Sequence, residues 1–190
     1  VAALPGGRGD GQPVTTMMDL EAGTQILYYF AGPVTASLLV SSSAGYGFVA
    51  LVESMVSRQK AGKAFVTLND DDTLCQPSLI GGTNGSVELA EATHVACLST
   101  GGNVLTYPLT ELKTMTGGRG LQLMKLDDKD RLAGAAAYTR SVQITGTGRG
   151  GKEKEETLEI RSLNNAAGKR ASKGKATGWT FKPTGIERLE

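Results

Sequence analysis

A short basic motif built on glycine returns four times in this chain at a nearly constant step. It reads Gly6-Gly7-Arg8-Gly9, Ala61-Gly62-Lys63-Ala64, Gly117-Gly118-Arg119-Gly120 and Lys173-Gly174-Lys175-Ala176. The central glycines fall at 7, 62, 118 and 174, so the steps are 55, 56 and 56. Low-complexity glycine keeps no such step. A repeat of this length is one supersecondary unit that cannot bury its apolar face alone, so neighbouring units must stack. The chain therefore reads as a single repeat-built domain over residues 1–190.

A second anchor keeps the same step. Ser43-Ala44-Gly45-Tyr46-Gly47-Phe48-Val49 matches Thr100-Gly101-Gly102-Asn103-Val104-Leu105. Each follows an apolar run, Ser37–Val40 or Val95–Leu98, and each leads to one amphipathic turn, Val52–Val56 or Leu109–Leu112. Two strands around such a Gly turn form a hairpin. Apolar stretches also follow the basic turns, at Val14–Leu20, Phe65–Leu68, Leu121–Leu126 and Trp179–Phe181, and their Val, Thr, Phe and Leu content suits strands. The Ala-rich run Leu132–Tyr138 reads as a buried strand. No apolar 3.6-residue period persists beyond two turns, which argues against long helices. The fold class is all-β, and a unit of about four strands is a propeller-like blade. The last unit departs from the pattern: Gly146–Lys154 is a charged stretch in place of the hairpin turn, and residues 164–170 lengthen the approach to Lys173. Terminal units of an array are often atypical.

The net charge of +1 conceals an asymmetry. Residues 1–100 carry 4 Lys/Arg and 9 Asp/Glu, a net of −5, whereas residues 101–190 carry 16 and 10, a net of +6. Between Arg161 and Lys182 there are six basic residues and no acidic one. Basic turns at equivalent places on successive blades would make a positive track along one rim, which a duplex could follow through its phosphates. No element for reading bases is evident, so such binding would depend little on sequence.

Other chemistries find little support. His94 is the only histidine, and Cys75 and Cys97 stand 22 residues apart without a CxxC, too few ligands for a zinc site. The cysteines read as buried, reduced thiols of a cytosolic protein. Gly146–Lys152 has GxxxxGK spacing, but Glu153 stands where a hydroxyl should meet magnesium. Arg8-Gly9-Asp10 falls on the repeat motif, and Asp70-Asp71-Asp72 lacks a calcium-loop pattern and marks a loop. There is no legible nucleophile–base pair, no signal sequence and no apolar run long enough to span a membrane.

Three segments together resemble one family: Ala44-Gly45-Tyr46-Gly47-Phe48-Val49, Arg58-Gln59-Lys60-Ala61-Gly62-Lys63-Ala64, and Gly102-Asn103-Val104-Leu105-Thr106-Tyr107-Pro108-Leu109-Thr110-Glu111-Leu112. They look like the C-terminal domain of the A subunit of bacterial topoisomerase IV, the ParC type, related to that of gyrase A. The resemblance extends over residues 5–182 and implies a β-pinwheel, with about three to four strand-exchanged, four-stranded blades in this chain. It implies a non-catalytic domain that binds and bends duplex DNA in support of decatenation, relaxation and chromosome segregation by its parent. The candidate DNA-binding residues are Arg8, Arg58, Lys60, Lys63, Arg119, Lys169, Arg170, Lys173 and Lys175.

The resemblance further implies a cytoplasmic, nucleoid-associated parent, whose partners are a second A subunit together with the B subunit. Its DNA-cleaving tyrosine lies in a separate N-terminal region, and ATP and magnesium belong to the B subunit. No cofactor or metal is expected in this chain, and none of Tyr28, Tyr29, Tyr46, Tyr107 or Tyr138 matches the cleavage site. Gly148-Arg149-Gly150-Gly151-Lys152 is similar to the basic box of gyrase A but falls at the hairpin register, not at the register of Gly118. The chain starts at Val1, without an initiator Met, and reads as a fragment lacking an N-terminal neighbour and part of its first blade. The alternative reading is a propeller-type protein-interaction module with a basic C-terminal surface.

Overall fold

The structure, a computed structural model, describes residues 10–84 and 87–189. In chain order its strands are β1 (Ser37–Ser41), β2 (Tyr46–Leu51), β3 (Ser78–Leu79), β4 (Gly82–Asn84), β5 (Val87–Leu89), β6 (His94–Ser99), β7 (Asn103–Pro108), β8 (Leu121–Gln122), β9 (Leu132–Tyr138), β10 (Ser141–Thr147), β11 (Glu153–Glu159), β12 (Lys175–Ala176) and β13 (Lys182–Arg188). Two short helices, α1 (Val52–Met55) and α2 (Ile160–Asn165), and 3-10 turns at Val14–Thr16, Leu109–Glu111 and Arg149–Gly151 complete the described elements.

The strands form three blades and a small β4–β5 hairpin. Blade I has the order β3-β1-β2-β8, blade II β9-β6-β7-β12, and blade III β13-β10-β11. Each is centred on a hairpin: β1–β2 turns at Gly45, β6–β7 at Gly102, and β10–β11 through Arg149–Gly151. A helical turn follows the second hairpin strand in every blade, beginning at Val52, Leu109 and Ile160. The fourth strand of blades I and II is exchanged: β8 and β12 come from the segment after the next unit's helical turn. This is the β-pinwheel arrangement, and among the described residues it is an open row of three blades.

Burial explains why the strands read as they do. Leu38, Val40, Phe48 and Ala50 cover one face of blade I, with Phe65, Val66 and Met115 against them. Leu39, on the other face, joins Val95, Cys97, Leu105, Tyr107, Ala135 and Ala137 of blade II. Ala96, Leu98, Val104, Ala136 and Tyr138 then meet Val142, Ile144, Leu163 and Ile186 of blade III. A sheet covered on both faces needs continuous apolar runs rather than alternation. In β9 alternate alanines serve the two cores, and their small side chains let the sheets stack closely.

Several expected strands are absent. Val14–Thr16 is a 3-10 turn, and Phe65–Leu68 offers a single parallel bridge, Val66 to Gly118. The strand expected over 121–126 stops at Gln122, because Leu123 and Met124 turn inward and are fully buried. Trp179 and Phe181 stack at 5.2 Å between centroids and pack on the core between blades II and III, and the strand begins only at Lys182. In each case tertiary burial consumes side chains that a local pattern assigns to a ladder.

Both cysteines are free and buried. Burial pushes the Cys75 thiol up to about 11 and the Cys97 thiol up to about 12. At pH 8 the folded chain should therefore leave a disulfide-exchange reagent unreacted, and should release two equivalents per chain once unfolded in guanidinium. Rapid native-state labelling of either thiol would contradict this packing.

Candidate nucleic-acid interface

The exchanged strands carry the basic turns, so strand register fixes which residues correspond. Leu121 lies opposite Gly47, and Lys175 lies opposite Val104, the residue of β7 equivalent to Gly47 in β2. The N–H of Leu123 reaches Gly45 O at 2.7 Å, and that of Thr177 reaches Gly102 O at 3.1 Å. Gly120 and Gly174 are thus equivalents, although an even spacing along the sequence aligns Gly174 with Gly118. Ser172 is then the equivalent of Gly118, and Thr67 N donates to Gly118 O at 3.1 Å as Lys125 N donates to Ser172 O at 3.0 Å. That pair makes Phe65 the counterpart of Leu123, and Gly62 the counterpart of Gly120. The three glycines have φ of +73°, +85° and +79°, a left-handed conformation that favours glycine.

The basic turns of blades I and II consequently lie on the exchanged-strand side of successive sheets. Arg119 is exposed, with its guanidinium carbon 4.0 Å from the centroid of the Tyr46 ring. Such stacking is worth about 0.5–1 kcal/mol at an exposed site and leaves the charge unneutralised and outward. Lys63 stands 6.0 Å from the Phe65 ring. Arg58, Lys60, Lys169 and Lys175 are exposed, and Lys175 Nζ touches Asn165 O at 2.5 Å. Two further expected residues meet partners within the fold. Arg170 is half-buried and donates through Nη1 to Gln122 O at 2.6 Å, tying β8 to the segment that leads into β12. Lys173 pairs with Asp127 at 2.6 Å, with both side chains more than half exposed. Arg8 lies outside the described residues. Gly148–Lys152 forms the hairpin turn of blade III, the register expected for it from sequence.

Residues outside the expected contact set hold this frame. Asp72 Oδ1 accepts from Ser43 Oγ at 2.8 Å and from Ala44 N at 2.9 Å, and Asp130 Oδ1 accepts from Thr100 Oγ1 at 2.7 Å and Gly101 N at 2.8 Å. The two aspartates clamp equivalent hairpin turns. Arg188 donates to Ile80 O at 3.0 Å, Ala90 O at 2.7 Å and Thr139 Oγ1 at 3.3 Å, tying blade III to the loops of its neighbours. Asp72 belongs to a legible acidic triplet, but its hydroxyl partner lies 29 residues away. Only after the repeats are aligned does a Ser/Thr–Asp pair recur.

Burial by itself would raise the Asp72 and Asp130 carboxyls, yet the hydrogen bonds to each outweigh it and hold both below their ordinary value. A depressed folded pKa contributes stability above the unfolded value near 4, lost as pH falls through the folded one. Asp130→Asn should lower stability at pH 7 by about 1–3 kcal/mol, the range for a lost charge-assisted bond, and should flatten the melting-temperature decline between about pH 5 and 3. An unchanged acid profile would mean that Asp130 does not clamp its turn.

Comparison with known proteins agrees with this architecture. Residues 36–74 and 93–138 match the family model for the DNA gyrase C-terminal domain, beta-propeller. The A subunit of DNA topoisomerase 4 from Neisseria gonorrhoeae is 31% identical over 170 residues, covering 89% of this chain and 22% of the relative. Its Escherichia coli K12 counterpart is 27% identical over 175 residues, covering 90% and 22%. The chain thus spans about a fifth of the length of these relatives. The solved ParC C-terminal domain of E. coli has a TM-score of 0.80 at 24% identity, covering 98% of this chain and 74% of that one. A solved DNA gyrase A C-terminal domain gives 0.65 at 18% identity, covering 90% and 56%. With its exchanged strands, its recurring hairpins and these matches, the chain belongs to the family of C-terminal domains shared by gyrase A and the ParC-type A subunit of topoisomerase IV.

Proposed function

We propose that this chain is the DNA-binding and DNA-bending domain of the ParC-type protein of a topoisomerase IV and performs no chemistry itself. The observation that carries this reading is the recurrence of an exposed cation beside a left-handed glycine in unit after unit, twice on the exchanged-strand side of a blade. Arg58, Lys60, Lys63, Arg119, Lys169 and Lys175 form the principal contact set, with Lys173, Arg170 and Arg8 as flanking charge. Phosphate contact along the row of blades bends the duplex toward the protein and reads no bases. The bent segment is then held for a parent that cleaves, passes and reseals DNA, with its B subunit, ATP and magnesium outside this chain, in decatenation, relaxation and chromosome segregation. A parent acting on the chromosome places the domain in the cytoplasm, at the nucleoid.

The test is binding to linear and supercoiled duplexes across a salt series. Six neutralised phosphates correspond to a slope of about −5 in log affinity against log salt. Binding that ignores salt, or strong protein association without DNA affinity, would favour the interaction-module reading instead.

A further inference from the structure

The turns that bear Arg119 and Lys173 are equivalent in backbone. Gly118 and Ser172 accept the same hydrogen bond, from Thr67 N at 3.1 Å and from Lys125 N at 3.0 Å. The residues that follow them, Arg119 and Lys173, therefore occupy one position in successive units. Two neighbours of that position correspond as well. Tyr46 lies opposite Gln122 at the start of β2, as Asn103 lies opposite Ala176 at the start of β7. Asn69 O accepts from Asp72 N at 3.0 Å, as Asp127 O accepts from Asp130 N at 2.9 Å, in the loops whose aspartates clamp the two hairpin turns. Blade I thus combines Arg119, Tyr46 and Asn69 where blade II combines Lys173, Asn103 and Asp127.

The three exchanges together change the state of the cation. In blade I the ring of Tyr46 carries the guanidinium, 4.0 Å from its centroid, and a neutral amide stands in the place of Asp127. In blade II that ring is missing, and Asp127 takes the Lys173 ammonium at 2.6 Å. The loop that presents Asp127 is fixed, because Asp130 Oδ1 accepts from Thr100 Oγ1 and Gly101 N. Lys173 and Asp127 are 53% and 61% exposed, so the pair lies where a phosphate can reach it. An exposed pair of this kind shifts an equilibrium by at most about fivefold, too little to lock the lysine and enough to compete for it. A lysine held by a carboxylate neutralises no phosphate and releases no counterion from a duplex.

We propose that Asp127 is an internal competitor for DNA phosphate, holding Lys173 out of the contact row so that the duplex is gripped less firmly at this turn of blade II than at the Arg119 turn of blade I. This rests on the DNA-binding reading above and grades the rim which that reading assigns. The test is the salt dependence of duplex binding by the 190-residue chain. Asp127→Asn, which makes the position like its counterpart Asn69, should tighten binding about threefold at about 100 mM salt and steepen the slope by about 1. Asp128→Asn makes the same change in net charge at an exposed neighbour that has no ion pair among the described residues, and should leave the slope as it is. Lys173→Met should not alter the wild-type slope, but should cancel the steepening in the Asp127→Asn background. The melting temperature should change by only a few degrees, because the carbonyl of Asp127 and not its side chain makes the turn bond. A salt-dependent wild type whose slope Asp127→Asn leaves unchanged, an equal steepening by Asp128→Asn, or a slope already made shallower by Lys173→Met alone would overturn this inference and leave the DNA reading standing. Wild-type binding that ignores salt would overturn both.

Discussion

Gly120→Val should unfold a large part of this domain at 37 °C, whereas Gly62→Ala, at an equivalent backbone position, should be nearly silent. Gly120 has a φ of +85°, and any Cβ there would overlap the carbonyl oxygen of Gly47 and lie 2.6 Å from its carbon and 2.9 Å from Cδ1 of Phe48. The left-handed backbone costs a branched residue about 1–3 kcal/mol. The clash adds roughly 1–3 kcal/mol, since neither neighbour has room to yield. Gly47 is itself confined, with its own Cβ position 2.8 Å from Cδ1 of Leu123, and Phe48 is fully buried. A total of roughly 2–6 kcal/mol is a large share of the 5–15 kcal/mol typical of a domain. Chemical denaturation should show a midpoint shift of that size, with loss of protection at β2 and β8 first. Gly62→Ala meets no atom within 4 Å and should cost only about 1 kcal/mol in the isolated chain. Equal costs at the two positions would mean that the exchanged strand does not hold blade I together.

Reversing Lys63 and Arg119 together should weaken duplex binding on the order of 10²-fold at about 100 mM salt and reduce the salt slope by about 2. Arg119 is the better-defined of the two, because the ring of Tyr46 sets its guanidinium from 4.0 Å. Each reversal removes one released counterion and adds one repelled phosphate, so the loss should be the same for unrelated sequences. Both side chains are exposed, and neither makes an ion pair among the described residues, so the melting temperature should hold. Arg170→Glu is the contrasting case: its guanidinium supports the Gln122 carbonyl, and its reversal should loosen β8 as well as weaken binding. Loss of affinity confined to one DNA sequence, or an unchanged slope, would remove the rim from the interface.

Much of the fold is legible along the chain. The two Gly-turn hairpins and the short helical turns after Leu51 and Pro108 stand where the repeat places them, and the Ala-rich run Leu132–Tyr138 is the buried strand that its composition indicates. They are legible because each is local, a turn residue between two apolar runs. The short exchanged strands are not, since β8 and β12 have two residues each and are defined by a partner some 70 residues away. The third helical turn, α2, is hidden by the charged strand ahead of it. That strand forms one edge of blade III, exposed along nearly its whole length, and so needs no apolar pattern.

The basic residues divide the same way. Their number and spacing are properties of the sequence, and from them come the idea of a rim and the nine candidate cations. Which of them remain outward is decided by packing. Arg119 rests on a tyrosine 73 positions away in sequence, Arg170 turns inward to a carbonyl, and Lys173 meets Asp127. The alignment of the turns is decided there too: hydrogen bonds to Gly45 and Gly102 make Gly174 the partner of Gly120, because a ladder is set by its acceptor carbonyls and not by an even count of residues. Local propensity and periodicity determined that this chain is a row of β units bearing basic turns. Only the tertiary structure determined how those units share strands, because a two-residue exchanged strand is defined by the distant strand it pairs with and not by a pattern of its own.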